Sequence, residues 1–169
     1  MFDIIAGLPL HPLVVHATEV IVPSAAFVVA LAVLWPSFRR WARFLPISLA
    51  LAALVLVPVA TQSGEALQER VKETSLIETH ADMAEGMAPW VIGLFLVAAV
   101  LLWWNWDEHR AASARAPKWV ALALAVSGVF LAAGTVVQAV RIGHSGATAT
   151  WSQVTGSGSQ SPTEGSDNG

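Results

Sequence analysis

The sequence predicts an all-α integral membrane protein: a four-helix bundle with both termini outside and a short amphipathic helix between helices 2 and 3. Composition is the first ground. Of 169 residues, 55% are hydrophobic and only 12% charged, well below the charge of a soluble domain. The spacing of charge is the second. Uncharged runs of 19, 21, 21 and 22 residues separate Glu19 from Arg39, Arg43 from Glu65, Glu85 from Asp107, and Lys118 from Arg141. Each is long enough for one bilayer-spanning helix of about 20 residues and too short for two. Backbone groups in lipid must bond within their own segment, so the spans are expected as helices.

The third ground is asymmetry. Arg39, Arg40 and Arg43 lie in one connection, and Arg110, Arg115 and Lys118 in another. The opposite side holds Arg70, Lys72 and Arg141 in otherwise acidic surroundings. Cations collect on the cytoplasmic side, so the two basic hairpins are expected inside. Trp35, Trp41, Trp103, Trp104, Trp106 and Trp119 cluster at the same ends, as an interfacial belt would. The chain is therefore expected to be a multi-pass protein of the bacterial cytoplasmic membrane. Its first ten residues lack a basic n-region, so the first span is expected to be retained.

The elements follow in order. Residues 1–10 lead in, and helix 1 is expected over about 12–36, entered through Pro12, a favoured first helical residue. Helix 2 is expected over 45–62. Residues 63–80 read as an outside excursion whose Leu67, Val71 and Leu76/Ile77 spacing suggests an amphipathic surface helix. Helix 3 is expected over 82–105 and helix 4 over 118–142, ending near Gly143. Residues 1–152 thus form one transmembrane domain, and 153–169 a disordered polar tail. Beyond the two hairpins no internal repeat is evident. Pro23 and Pro58 are expected to kink their helices. Close approach is suggested by the small-residue pairs Ala26/Ala30, Ser48/Ala52, Ala121/Ala125 and Gly128/Ala132.

Several chemistries are excluded. Without cysteine there is no disulfide, thiolate metal site or thiol nucleophile. A net charge of −3 leaves no footprint for nucleic acid. Ser145 beside His144 lacks a third triad member, so a hydrolase finds little support and no independent enzymatic activity is expected.

What remains is a cluster of histidines. His11, His16, His80 and His144 all fall at the expected outer edge, and His109 at the inner one. Polar side chains at a membrane boundary cost free energy and are a default site hypothesis. Two facing imidazoles in a bundle suit a b-type haem, with His16 opposite His80 or His144, His11 accessory, and Arg141 for the propionates. A copper or zinc ion is the rival cofactor. Glu19 shares a helical face with His16, and Met83 with His80, giving the ligand set His16, Glu19, His80, Met83 and His144. Either cofactor implies electron transfer with a redox protein or quinone partner. The alternative is a protein without cofactor, a scaffold or accessory subunit in the lipid bilayer whose histidines cap helices or snorkel. Met83 and Met87 are then gap-filling core. Gln138 and Thr135 are read as interhelical hydrogen bonds.

These residues also carry a resemblance. The run Leu8-Pro9-Leu10-His11-Pro12-Leu13-Val14-Val15-His16, the Ser63-Gly64-Glu65-Ala66-Leu67 turn leading to His80, and Gly143-His144-Ser145-Gly146-Ala147 with Trp151 resemble a bacterial membrane family known as domain of unknown function 2231. The resemblance covers residues 8–151 and implies a four-helix membrane module. Relatives joined to Rieske-type or cytochrome c-type domains imply an electron-transfer setting, in which this chain would use a separate redox partner. Many relatives follow the second histidine with Phe-Pro; here His16-Ala17-Thr18 departs from that pattern.

Overall fold

A computed structural model describes residues 4–5, 8–68, 74–110 and 117–157. Six helices follow in chain order: α1 (Leu10–Leu34), α2 (Pro36–Trp41), α3 (Leu45–Gln68), α4 (Ser75–Glu85), α5 (Ala88–Arg110) and α6 (Lys118–Ser157). Ahead of them, Ile4–Ile5 and Leu8–Pro9 pair as a two-residue antiparallel ladder. Among the described residues four stretches are long and apolar enough to cross a membrane: His11–Leu34, Leu45–Gln68, Ser75–Trp106 and Lys118–Trp151. The all-α, four-span architecture expected from the sequence is the one observed.

The boundaries differ for physical reasons. Helix 1 stops at Leu34, because Trp35 precedes Pro36 and takes an extended conformation (φ −124°, ψ 96°), as residues before proline do. Helix 2 runs to Gln68 rather than 62, so the excursion is shorter than expected. The amphipathic element is α4 alone, capped by Thr74, whose hydroxyl accepts from the Ile77 N–H at 3.4 Å. Val71, part of the pattern that suggested it, lies outside the described residues. Helix 4 does not end at Gly143. It continues through Gly143-His144-Ser145-Gly146 to Ser157, with α4 packed beside it. The remaining polar tail lies outside the described residues.

A break between α4 and α5 falls at Gly86–Met87. Pro89 has no N–H to give Glu85 and cannot continue a helix from it. The Met87 N–H bonds to Ala84 rather than to Met83, which frees the Met83 carbonyl. The Gln138 amide of α6 donates to that carbonyl at 2.7 Å. As a result Met87 enters the core while Met83 stays half-buried outside it.

The core is built from small and β-branched side chains. One cluster gathers Ala26, Val29, Ala32, Ala50, Leu94, Ala98, Leu101 and Ala132, and a second Val22, Ala25, Ala53, Val57, Met87 and Val91. Lipid supplies no hydrophobic drive between helices, so close backbone approach has to supply contact. Gly134 does this most directly: the Trp90 ring occupies the space where a side chain at 134 would sit. Of the small-residue pairs, Gly128/Ala132 and Ala26 pack inward, whereas Ser48 and Ala121 are exposed.

The burial pattern reveals a duplication that the sequence reading missed. Counting from His11, the buried residues Val22, Ala25, Val29 and Ala32 fall at the same intervals as Val91, Leu94, Ala98 and Leu101 do from His80. Counting back from Ser63-Gly64, the buried Ala53, Ala50 and Pro46 match the buried Thr135, Ala132 and Gly128 before Ser145-Gly146. The bundle is one hairpin repeated: α1 with α3, then α4–α5 with α6.

Candidate functional site

The repeated element of each hairpin is a histidine on its first helix and a Ser-Gly pair on its last. In the first hairpin His11 Nδ1 lies 3.1 Å from the Ala60 carbonyl and 3.2 Å from Ser63 Oγ. A carbonyl can only accept, so Nδ1 carries the proton. A Cβ on Gly64 would lie 3.0 Å from His11 Cε1; the imidazole edge packs closely on the α3 backbone at this glycine.

The second hairpin repeats this geometry. His80 Nδ1 lies 2.9 Å from Ser145 Oγ, and Ser145 Oγ donates to the Ile142 carbonyl at 2.9 Å. The hydroxyl has one proton and spends it on that carbonyl, so His80 is the donor here too. A Cβ on Gly146 would lie 3.1 Å from His80 Cε1. Both imidazoles thus use Nδ1–H to fasten one helix to another, and in the neutral ring each keeps a lone pair on Nε2. The two clasps are neighbours. Gln68, one turn past Gly64, donates to the carbonyl of Ile77, one turn before His80, at 3.3 Å.

The other expected site residues separate from this pair. His16 is exposed and donates Nδ1–H to the Pro12 carbonyl of its own helix at 2.6 Å. Glu19 is exposed, with a carboxylate oxygen 3.9 Å from where a Gly143 side chain would begin. Met83, Arg141 and His144 line an open groove of about 840 Å³ between α4 and α6, with Thr79, Asp82, Gln138, Val140 and Ser145. Among the described residues no three His, Asp or Glu side chains come together as a metal-holding group. His16 is exposed and bonded within its own helix, whereas His11 and His80 are half-buried and bonded to another helix. Gln138 makes the interhelical bond expected of it, whereas Thr135 donates to Leu131 within α6 at 2.7 Å.

One polar cluster was missed by sequence reasoning. At the opposite end of the bundle Arg39 is buried; its Nε donates to Asn105 Oδ1 and the Asn105 amide returns a bond to the Arg39 carbonyl, both at 3.2 Å. The guanidinium also stacks 4.9 Å over the Trp104 ring. Asn105, an amide inside a tryptophan-rich span end, was the available signal. The side chain of His109 lies outside the described residues.

A family model described as a predicted membrane protein, DUF2231, matches residues 7–158. No curated protein and no solved structure matches the chain.

Proposed function

The chain belongs to the DUF2231 family of predicted membrane proteins, and from that premise we propose that it is a non-catalytic membrane module, a scaffold or accessory subunit whose histidines fasten its helices. One observation carries this reading. His11 and His80 each give Nδ1–H to another helix across a glycine, in both copies of the hairpin. A duplicated structural bond explains why imidazoles recur at a costly membrane boundary. The bundle lies in the bacterial cytoplasmic membrane with both termini outside; the cation asymmetry and the exposed Trp35, Trp41, Trp103, Trp106 and Trp119 at the arginine end support that orientation.

A second reading has its own support. Ligating histidines usually donate their other ring N–H to a carbonyl or similar acceptor, and His11 and His80 both do so while leaving Nε2 free. That pair fits a haem b iron or a copper or zinc ion better than the exposed His16 does. Bound there, the cofactor would supply electron transfer to a redox protein or a quinone, while Ala60 and Ser145 would hold the two rings in their ligating tautomer. A reduced-minus-oxidised spectrum and elemental analysis of detergent-purified protein, expressed with haem precursor, separate the readings. The scaffold reading expects neither low-spin haem bands nor stoichiometric metal. Either one, lost in His80→Ala while the protein stays folded, would overturn it.

A further inference from the structure

The two hairpins share a clasp but differ in the surface beside it. Counted from the histidines, Asp82 and Met83 correspond to Leu13 and Val14. Counted from the Ser-Gly pairs, Gln138, Arg141 and His144 correspond to Leu56, Val59 and Gln62. The first hairpin forms the same clasp and the same buried pattern with an almost wholly apolar set. The fold therefore does not require Asp82, Arg141 or His144, and charges at a span end are expensive to keep. Gln138 is the member with a structural task, since it caps the Met83 carbonyl at the α4–α5 break.

These residues meet in the groove between α4 and α6. Its volume of about 840 Å³ lies within the roughly 300–1,000 Å³ of small-molecule sites. Asp82 and Arg141 are both exposed and of opposite charge, and no ion pair joins either of them to another described residue. The Thr79 hydroxyl spends its proton on the Ser75 carbonyl at 2.7 Å, so its oxygen is left to accept. The groove thus offers donors on α6 and acceptors on α4, with Met83 and Val140 as the apolar part of its lining.

We propose that this groove binds the zwitterionic headgroup of a phosphoethanolamine lipid. Arg141 and His144 take the phosphate, for which a guanidinium is well shaped. Asp82 and Thr79 accept from the primary ammonium, and Met83 and Val140 lie along the start of the acyl chains. This goes beyond a scaffold role and does not depend on it, because the clasps form in the hairpin that lacks the charges.

The test uses the full chain, purified in detergent and stripped of lipid, with retention followed by native mass spectrometry. Short-chain phosphatidylethanolamine, phosphatidylcholine and phosphatidylglycerol are added separately at equal concentration. Phosphatidylethanolamine should be retained most strongly, because choline's ammonium has no proton to donate and glycerol's headgroup carries no cation. Arg141→Gln should weaken retention about tenfold, the usual effect of losing a hydrogen bond to a charged group. Asp82→Asn should erase the preference over phosphatidylglycerol. Val59→Ala and Gln62→Ala, at the matching places of the first hairpin, should change nothing. Equal retention of the three lipids, or full retention in both Arg141→Gln and Asp82→Asn, would overturn the proposal. Displacement of the lipid by inorganic phosphate, itself retained, would assign the site to the free anion instead.

Discussion

In the first hairpin α1 runs unbroken from Leu10 to Leu34, whereas the matching stretch of the second is split into α4 and α5. The position that carries Pro89 in the second copy carries Val20 in the first, and the Gln138 that caps the break is matched by Leu56. A helix break and its polar cap therefore occur together in one copy and are both absent from the other. Buried or lipid-facing carbonyls need a donor, and the Met83 carbonyl left free at the break finds one in the Gln138 amide. The histidine on Ser-Gly survives this divergence, and so do the buried positions Val22, Ala25, Val29 and Ala32 as Val91, Leu94, Ala98 and Leu101.

That contrast can be broken at several points, and the largest effect is expected where the copies pack differently. Gly134 matches Ala52, but only Gly134 lies under the Trp90 ring. Gly134→Ala should destabilise the bundle by about 1–3 kcal/mol through overpacking, read from denaturant unfolding in mixed micelles; Ala52→Gly should cost about 1 kcal/mol at most, a helix-propensity effect. An unchanged midpoint in Gly134→Ala would mean that the two helices separate there freely.

Asn105→Leu comes next. It removes an acceptor from the buried Arg39 guanidinium and should cost about 1–3 kcal/mol. The arginine end would then prove to be as much a structural lock as the histidine end, and loss of near-ultraviolet ellipticity from Trp104 would accompany unfolding.

The serines sharpen the comparison between the clasps. Ser145→Ala takes away the acceptor of the His80 Nδ1–H and should cost about 1 kcal/mol. Ser63→Ala leaves His11 its bond to the Ala60 carbonyl and should stay within about 0.5 kcal/mol of wild type. Equal losses would show that the two clasps do not differ as their hydrogen bonds do. The smallest effect belongs to His16→Ala, an exposed ring bonded only within its own helix, expected within about 0.5 kcal/mol of wild type.

Much of this was legible in the sequence because lipid imposes simple rules. Charge-free windows locate spans, and each of the four carries its expected helix. Ends were less legible. Gly143 reads as a helix stop, yet α6 passes through it to Ser157, and a side chain there would meet only a Glu19 carboxylate oxygen at 3.9 Å. The histidine edge was visible as composition, but tautomers and partners were not. His11, read as accessory, makes a clasp, while His16, read as a principal ligand, faces outward. Few identical residues mark the duplication. The register of buried positions carries the repeat, and burial is a tertiary property.

His80 fastens α4 to α6 through Ser145. A double-mutant cycle of His80→Ala and Ser145→Ala, measured by unfolding in mixed micelles, tests it most directly. A coupling of about 0.5–1.5 kcal/mol between the two positions is expected. Additive losses, with no coupling, would mean that the bond contributes nothing to the bundle and that the imidazole is held there for something other than structure.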